Sequence, residues 1–262
     1  MIVALEQCAR KYAFLLSQLV ARDFKVKYKR SALGMLWSLL YPVLMMCVMA
    51  VVFRGVFRFS APGVNYLAYL MTGLTLFNYF SEASNLAMSS VVANFTLINK
   101  VYLPKYIFPL EKCLFVGINF LLTLLPLYAV ILLTGTGLCW QHLLLPFDYL
   151  CLLGFTLGMG LLLSAAAVFL RDLFYIYGIV LTIWTYLTPI MYDIRMIDSP
   201  ALASLMQLNP LYQYILFART IVLFHATPAP RLFLACALSA LGTLLAGALL
   251  FRAKQDRFIY YV

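Results

Sequence analysis

The stretch S-A-L-G-M-L-W-S-L-L-Y-P-V-L-M-M-C-V-M-A-V-V-F, residues 31–53, contains no charged side chain and lies between Arg30 and Arg54. A helix of about 20 apolar residues is long enough to cross the hydrocarbon layer of a membrane. These 23 residues therefore predict a transmembrane helix. The stretch decides the fold class because comparable runs follow it along the chain.

Charged residues divide the rest of the chain into further runs of similar length. The run that follows Lys112 is too long for one crossing, and the G-T-G turn at 135–137 together with Pro146 predicts that its helix ends near Thr134. The six predicted spans are 31–53, 59–81, 113–134, 149–170, 173–192 and 232–251. We therefore expect an all-α integral membrane protein that forms a single transmembrane domain over residues 1–262.

The composition excludes a soluble globular protein. Of the 262 residues, 65% are hydrophobic and 11% are charged, with a mean hydropathy of +0.96, whereas a soluble domain is roughly half apolar and a quarter charged. The net charge of +10 does not indicate nucleic-acid binding, because such binding needs a basic surface on a water-facing domain. We expect no nucleic-acid partner.

The chain has no G-x-x-x-x-G-K-[ST] loop and no C-x-x-C pair, so neither ATP binding nor a metal site is predicted in it.

One apolar segment, between Ser199 and Arg219, does not fit a simple span. It contains Gln207, Asn209-Pro210 and Gln213, which are polar or helix-breaking residues near its centre. We interpret it as two short helices that form a re-entrant hairpin. A seventh span is the alternative interpretation.

The distribution of basic residues predicts the orientation. With six spans, 14 lysines and arginines lie on one side of the membrane and 5 on the other. Because cytoplasmic loops carry the excess of basic residues, both termini are expected in the cytoplasm and the hairpin is expected to face outward.

The N-terminal segment is predicted to lie on the cytoplasmic membrane surface. Residues 2–20 place apolar side chains at helical spacing between charged ones, which is typical of an amphipathic interface helix. The basic string R-D-F-K-V-K-Y-K-R at 22–30 follows it directly. Such a cluster either attracts anionic lipid phosphate or only fixes the topology, and the sequence leaves both interpretations open.

The predicted spans are poor in ionisable groups, with Glu82 at the inner end of the second as the main one. This scarcity argues against ion-coupled carriers and channels. Aromatic residues are frequent instead, and their rings either stack on sugars or form an interfacial belt. The candidate pathway aromatics are Trp37, Tyr41, Trp184, Tyr186 and Tyr192.

Several strings together resemble the membrane subunit of polysaccharide-exporting ABC transporters, the permeases for O-antigen, teichoic acid and capsule. The string R-D-F-K-V-K-Y-K-R-S-A-L-G-M-L-W-S-L-L-Y-P at 22–42 is similar to the start of these subunits. Later landmarks occur in the family's order. They are N-K-V-Y-L-P-K-Y-I-F-P-L at 99–110, F-L-R-D-L at 169–173, T-P-I-M-Y at 188–192 and N-P-L at 209–211.

The resemblance implies a homodimer in the bacterial inner membrane, with separate ABC ATPase subunits that bind ATP and Mg²⁺. The loop 89–106 matches the family's cytoplasmic coupling region, where a short helix contacts the ATPase; the alternative is an ordinary interfacial loop. The residues implied in coupling are Asn94, Phe95, Leu97, Ile98 and Lys100. No cofactor is expected in this chain.

The resemblance also implies a lipid-linked glycan as the substrate, with a phosphate or diphosphate at its lipid end. The residues implied at this headgroup are Arg22, Lys25, Lys27, Lys29, Arg30 and Gly34. The segment 194–227 resembles the family's outer gate. Its candidate residues are Arg195, Asn209, Pro210 and Arg219, although either arginine could instead pair with Asp193 or Asp198.

Two other functions compete with this interpretation. A polytopic enzyme that modifies lipid-linked sugars would use acidic residues clustered at one membrane face, for which Asp193 and Asp198 are the candidates. An ABC exporter of drugs or lipids would share the fold class.

Overall fold

The computed structural model describes the backbone of residues 2–29, 33–34, 36–55, 65–100, 103–135 and 137–260. All regular structure in these ranges is helical, which confirms the predicted all-α class. The α-helices are α1 (Ile2–Tyr28), α2 (Leu36–Gly55), α3 (Tyr66–Ala93), α4 (Phe95–Lys100), α5 (Ile107–Leu133), α6 (Leu145–Phe169), α7 (Leu173–Leu187), α8 (Pro200–Leu208), α9 (Pro210–Val222) and α10 (Pro230–Lys254). Short 3₁₀ helices occupy Trp140–Leu144, Ile194–Met196 and Gln255–Tyr260.

Six helices overlap the six predicted spans, namely α2, α3, α5, α6, α7 and α10. Among the described residues, Ile107–Leu133, Trp140–Phe169 and Pro230–Phe258 are long and apolar enough to cross a membrane by length and composition. The stretches Leu36–Met45 and Leu173–Leu187 are apolar but shorter. The chain therefore has the helices of a membrane protein, while the count of six spans stays a prediction.

Two helices are longer than the sequence pattern predicts. The interface helix α1 continues beyond residue 20 to Tyr28, so most of the basic string 22–30 is helical. The helix α3 continues beyond residue 81 to Ala93, which places Glu82 well inside it. A charged residue marks the end of an apolar run, but glutamate is a good helix former and does not end a helix.

The helix α7 is shorter than predicted and ends at Leu187. Pro189 disfavours helical backbone at the residue before it, and Thr188 is extended with φ −100° and ψ 120°. The T-P-I-M-Y string at 188–192 is thus a break after α7 rather than its last turn.

The predicted break at Asn209-Pro210 is present. The helices α8 and α9 meet at Asn209, whose side chain accepts a hydrogen bond from the backbone N–H of Leu211. Pro210 occupies the first turn of α9. A backbone N–H at this position has no hydrogen-bond partner within the helix, so proline is tolerated there. Two short helices therefore replace a single span here, and their position in the membrane stays a prediction.

Two glycines allow α6 and α10 to pack with their backbones in contact. A Cβ atom added at Gly158 would overlap backbone atoms of Thr243 and Leu244, and one added at Gly247 would overlap the carbonyl of Gly158. Small residues at such contacts are typical of helix pairs in membranes. The helix α3 packs on α5 and α6 and contributes most of its apolar residues to the same core.

We expect Gly158→Ala to lower the thermal unfolding midpoint of the purified protein in detergent by several degrees. The added methyl group forces two backbones apart, and such overpacking typically costs about 1–3 kcal/mol. Gly242→Ala in α10 is the control, because a Cβ there meets no atom within 4 Å among the described residues. That control should leave the midpoint unchanged or raise it. Equal midpoints for the two variants would contradict the close packing.

Candidate functional site

The basic end of α1 carries four exposed cationic side chains, but only two lack an acidic partner among the described residues. Arg22 bonds to Asp23 at 3.0 Å, and Lys27 Nζ bonds to Glu82 Oε1 at 3.0 Å. Lys25 and Lys29 have no such partner in that part of the chain. They are four residues apart and share one side of the helix end, while Lys27 points elsewhere. The sixth predicted headgroup residue, Gly34, has φ +52° in the turn towards α2, and Arg30 lies outside the described residues.

The end of α1 is fixed to α5 by three contacts. Asp23 forms an ion pair with Lys112, and the hydroxyl of Tyr28 donates to Asn119 Oδ1 at 3.1 Å. The ring of Phe24 packs edge-on against Phe115 of α5. Burial alone would raise the pKa of Asp23, but its hydrogen bond to Lys112 and the charge of that lysine hold the pKa below its usual value. The basic segment is therefore docked on the helix bundle.

A groove of about 650 Å³ lies between α2, α3 and α5, with the end of α1 at one end. Trp37 and Tyr41 of α2 line it and are 45% and 59% exposed. Lys27 and Glu82, which form the ion pair, also line it. Four residues that the sequence suggested for separate reasons thus border one groove.

The other predicted pathway aromatics lie away from this groove. The indole N–H of Trp184 donates to Asn209 Oδ1 at 2.9 Å, so this ring supports the hairpin. Tyr186 is 70% exposed on α7. The hydroxyl of Tyr192 donates to the backbone carbonyl of Tyr186. The five aromatics therefore fall into two groups rather than one continuous surface.

Asn209 connects the hairpin to the end of α7. Its side-chain amide donates to the Thr188 hydroxyl at 2.8 Å, while its oxygen accepts from Trp184 and from the Leu211 N–H. Three contacts from one buried side chain therefore fix the junction of α8 and α9 against α7.

Arg219 is a buried cross-link. Its guanidinium donates to the backbone carbonyls of Pro189 at 2.8 Å, Ile190 at 2.7 Å and Tyr69 at 3.2 Å. It also lies 3.4 Å from the centre of the Tyr69 ring. The residue is 2% exposed, which differs from the expected outer contact with phosphate or sugar. A Cβ at Gly73 would lie 2.7 Å from Nη2, so this glycine makes room for the arginine.

Arg195 has a different environment. Its side chain is 77% exposed and pairs with Asp193 at 3.1 Å, as one of the two interpretations of the sequence expected. Asp198 is exposed. Among the described residues, no group of three or more His, Cys, Asp and Glu side chains is placed to hold a metal ion.

The predicted coupling segment contains the short helix α4. The Asn94 amide donates to the Ser90 carbonyl at 2.8 Å where α3 ends, and Lys100 is exposed at the end of α4. Phe95 and Leu97 are half-buried, whereas Ile98 packs on a separate apolar cluster. That cluster consists of Val91, Leu161, Ala165, Val168, Phe251 and Phe258. Residues 101–102 of this segment lie outside the described residues.

Comparison with known proteins gives a family match and several similar proteins. The sequence profile of the ABC-2 type transporter family matches residues 15–223. The chain is 31% identical over 250 residues to the O-antigen export system permease protein RfbA of Myxococcus xanthus, which covers 95% of each chain. It is 30% identical over 204 residues, 77% of each chain, to a protein of the same name from Klebsiella pneumoniae. The capsule polysaccharide export inner-membrane protein CtrC of Neisseria meningitidis is 27% identical over 84 residues, 32% of each chain.

We expect Arg219→Lys to lower the thermal unfolding midpoint by several degrees. Lysine keeps the charge but cannot reach three carbonyls at once, and a hydrogen bond to a charged group contributes about 1.5–3 kcal/mol. Arg195→Lys is the matched control because this side chain is exposed, and it should change the midpoint little. The rate of limited proteolysis in the segment that follows residue 192 is a second measure of the stability that Arg219 provides. Equal stability of the two variants would contradict the role of Arg219 as a cross-link.

Proposed function

The chain belongs to the ABC-2 type transporter family, and on this premise we propose that it is the permease subunit of an ATP-driven exporter of a lipid-linked polysaccharide. The observation that carries the proposal is the similarity over 95% of the chain to an O-antigen export permease. The weaker similarity to capsule export proteins points to the same class of cargo. The chain is a transport subunit rather than an enzyme.

We propose that α2, α3, α5, α6, α7 and α10 span the bacterial inner membrane, with the α8–α9 hairpin on the outer side and both termini in the cytoplasm. The ion pair of Asp23 with Lys112 places the basic end of α1 beside the start of α5. Lys105 donates to the Gln255 carbonyl, which places the C-terminal end there too. The basic end of α1, the start of α5, α4 and the C-terminal end of α10 thus lie together. By the positive-inside rule, this end of the helix bundle is the cytoplasmic one.

The ATPase partner docks at α4 in this proposal, and ATP and Mg²⁺ are bound by that partner. Phe95 and Leu97 retain exposed apolar surface at the end where the basic residues gather. A short helix with apolar side chains can seat in a groove of a soluble domain and transmit its movement. ATP binding then biases the permease between states by making different contacts in each.

The lipid-linked substrate meets Lys25 and Lys29 first. These lysines are exposed and lack an acidic partner among the described residues, so they can neutralise a phosphate or diphosphate at the inner membrane surface. Two copies of the chain form the complete permease. The exposed apolar faces of α2 and α7, which include Val48, Val51, Ile179 and Ile183, are available either to the second copy or to lipid.

The partner is tested by purifying the chain from its native cells. A P-loop ATPase should co-purify in stoichiometric amount with the wild-type protein. Phe95→Asp should reduce its recovery at least tenfold, because an acidic side chain removes the apolar contact from α4. Leu143→Asp introduces the same charge at a position that is 81% exposed in the opposite end of the bundle, and it should leave recovery unchanged. A folded wild-type preparation without any ATPase would contradict the proposal.

The headgroup contact is tested by replacing both free lysines. Lys25→Gln with Lys29→Gln removes two charges worth about 1 kcal/mol each near a membrane surface, which should weaken headgroup binding roughly 30-fold. The measurement is the amount of polysaccharide on the cell surface at equal permease level. Arg252→Gln with Lys254→Gln removes the same charge from exposed positions of α10 and is the control. Equal export by the two double variants would show that the lysines only set the topology.

A further inference from the structure

The wall of the groove formed by α3 carries a polar stripe that faces away from the protein core. Asn78, Glu82 and Asn85 are exposed and follow one another at helical spacing. Glu82 is paired with Lys27, but no hydrogen bond of the Asn78 or Asn85 side chain is formed within the part of the chain that the structure describes. Side-chain amides without hydrogen-bond partners are energetically unfavourable in contact with lipid hydrocarbon. The stripe therefore needs a polar occupant.

The opposite wall offers aromatic faces. Trp37 and Tyr41 project from α2, and Tyr79 of α3, which is buried against Phe120 of α5, also lines the groove. Aromatic rings pack on apolar C–H faces, while amides both donate and accept hydrogen bonds. The combination fits a ligand that carries hydroxyl groups around a ring with C–H faces. Sugars have this chemistry, whereas acyl chains do not.

The charges of the groove indicate that this part of the ligand is neutral. Lys27 and Glu82 cancel each other at 3.0 Å at the end of the groove. Lys25 and Lys29, which have no acidic partner among the described residues, lie on another side of α1, so an anionic group is attracted there instead. A phosphate is not stabilised within the groove itself.

The dimensions suit a short run of sugar units. The volume of about 650 Å³ lies within the usual range of small-molecule sites. From Asn85 to Met71 the groove follows α3 for about 21 Å, at 1.5 Å per residue. Its far end is lined by Met45, Met71 and Leu74, which are apolar. The lining thus changes from polar to apolar along the groove.

From these features we propose that the groove between α2, α3 and α5 of a single chain binds the uncharged sugar portion of a glycolipid. The Asn78 and Asn85 amides bond to sugar hydroxyls, and the Trp37 and Tyr41 rings pack on the sugar face. The inference rests on the proposed function and adds a recognition site to it. The site is contained in one copy of the chain.

The binding test uses the purified full-length chain in phosphatidylglycerol nanodiscs. The probe is an alkyl maltoside with a photoreactive diazirine in its chain, and the comparison probe has the same chain with a phosphate head. The maltoside should label α2 and α3 at groove positions, at least fivefold above the phosphate probe. Excess decyl maltoside should abolish the labelling. Equal labelling by both probes would overturn the proposal, since the groove would then hold any membrane amphiphile.

Variants separate recognition from folding. Asn78→Leu with Asn85→Leu should reduce maltoside labelling at least fivefold, whereas Asn78→Gln with Asn85→Gln keeps the amides and should retain most of it. Gln207→Leu makes the same kind of change at an exposed position of α8, outside the groove, and should have no effect. Unchanged labelling of the leucine double variant would overturn the proposal, and so would equal loss in the glutamine variant.

Export in cells distinguishes failure of the site from failure of the proposed function. The leucine double variant should lower surface polysaccharide at least fivefold while the ATPase still co-purifies. Normal export by this variant would overturn the sugar site alone. Surface polysaccharide that persists when the gene is deleted would overturn the exporter role, and with it the groove as a substrate site.

Discussion

The rest of the structure depends on how a chain with few charges places them. Of the 262 side chains, 19 are basic and 9 are acidic. A charged side chain in hydrocarbon is unfavourable unless it is paired. Two pairs between helices meet this constraint at the end of α1. Lys27 pairs with Glu82 and Asp23 pairs with Lys112, which dock α1 on the bundle. At the end of α1, Lys25 and Lys29 stay exposed and have no acidic partner among the described residues.

Arg219 meets the constraint in another way. The break after α7 frees the backbone carbonyls of Pro189 and Ile190, which have no helix to complete. The guanidinium satisfies both carbonyls and reaches Tyr69 of α3, so the charge and the carbonyls stabilise each other. Together with Asn209, it joins the hairpin to α3 and α7. A movement of the hairpin has to carry these elements with it or break these bonds.

The sequence allows the helices to be predicted, but not which residues of different helices contact one another. Uncharged runs locate α2, α5, α6 and α10 because membrane spans must be apolar, and Asn209-Pro210 locates the break in the hairpin. The ends of α1 and α3 are misjudged because charge ends an apolar run without ending a helix. The burial of Arg219 and the meeting of Lys27, Trp37 and Asn78 at one groove depend on tertiary packing, which residue spacing does not contain.

The proposed function of this chain is to carry a lipid-linked polysaccharide across the inner membrane. The most direct measurement is the location of that glycan after deletion of the gene in its native host. The account predicts that surface polysaccharide disappears, that lipid-linked glycan accumulates on the cytoplasmic leaflet, and that the intact chain restores export. Unchanged surface polysaccharide, without any cytoplasmic accumulation, would contradict it.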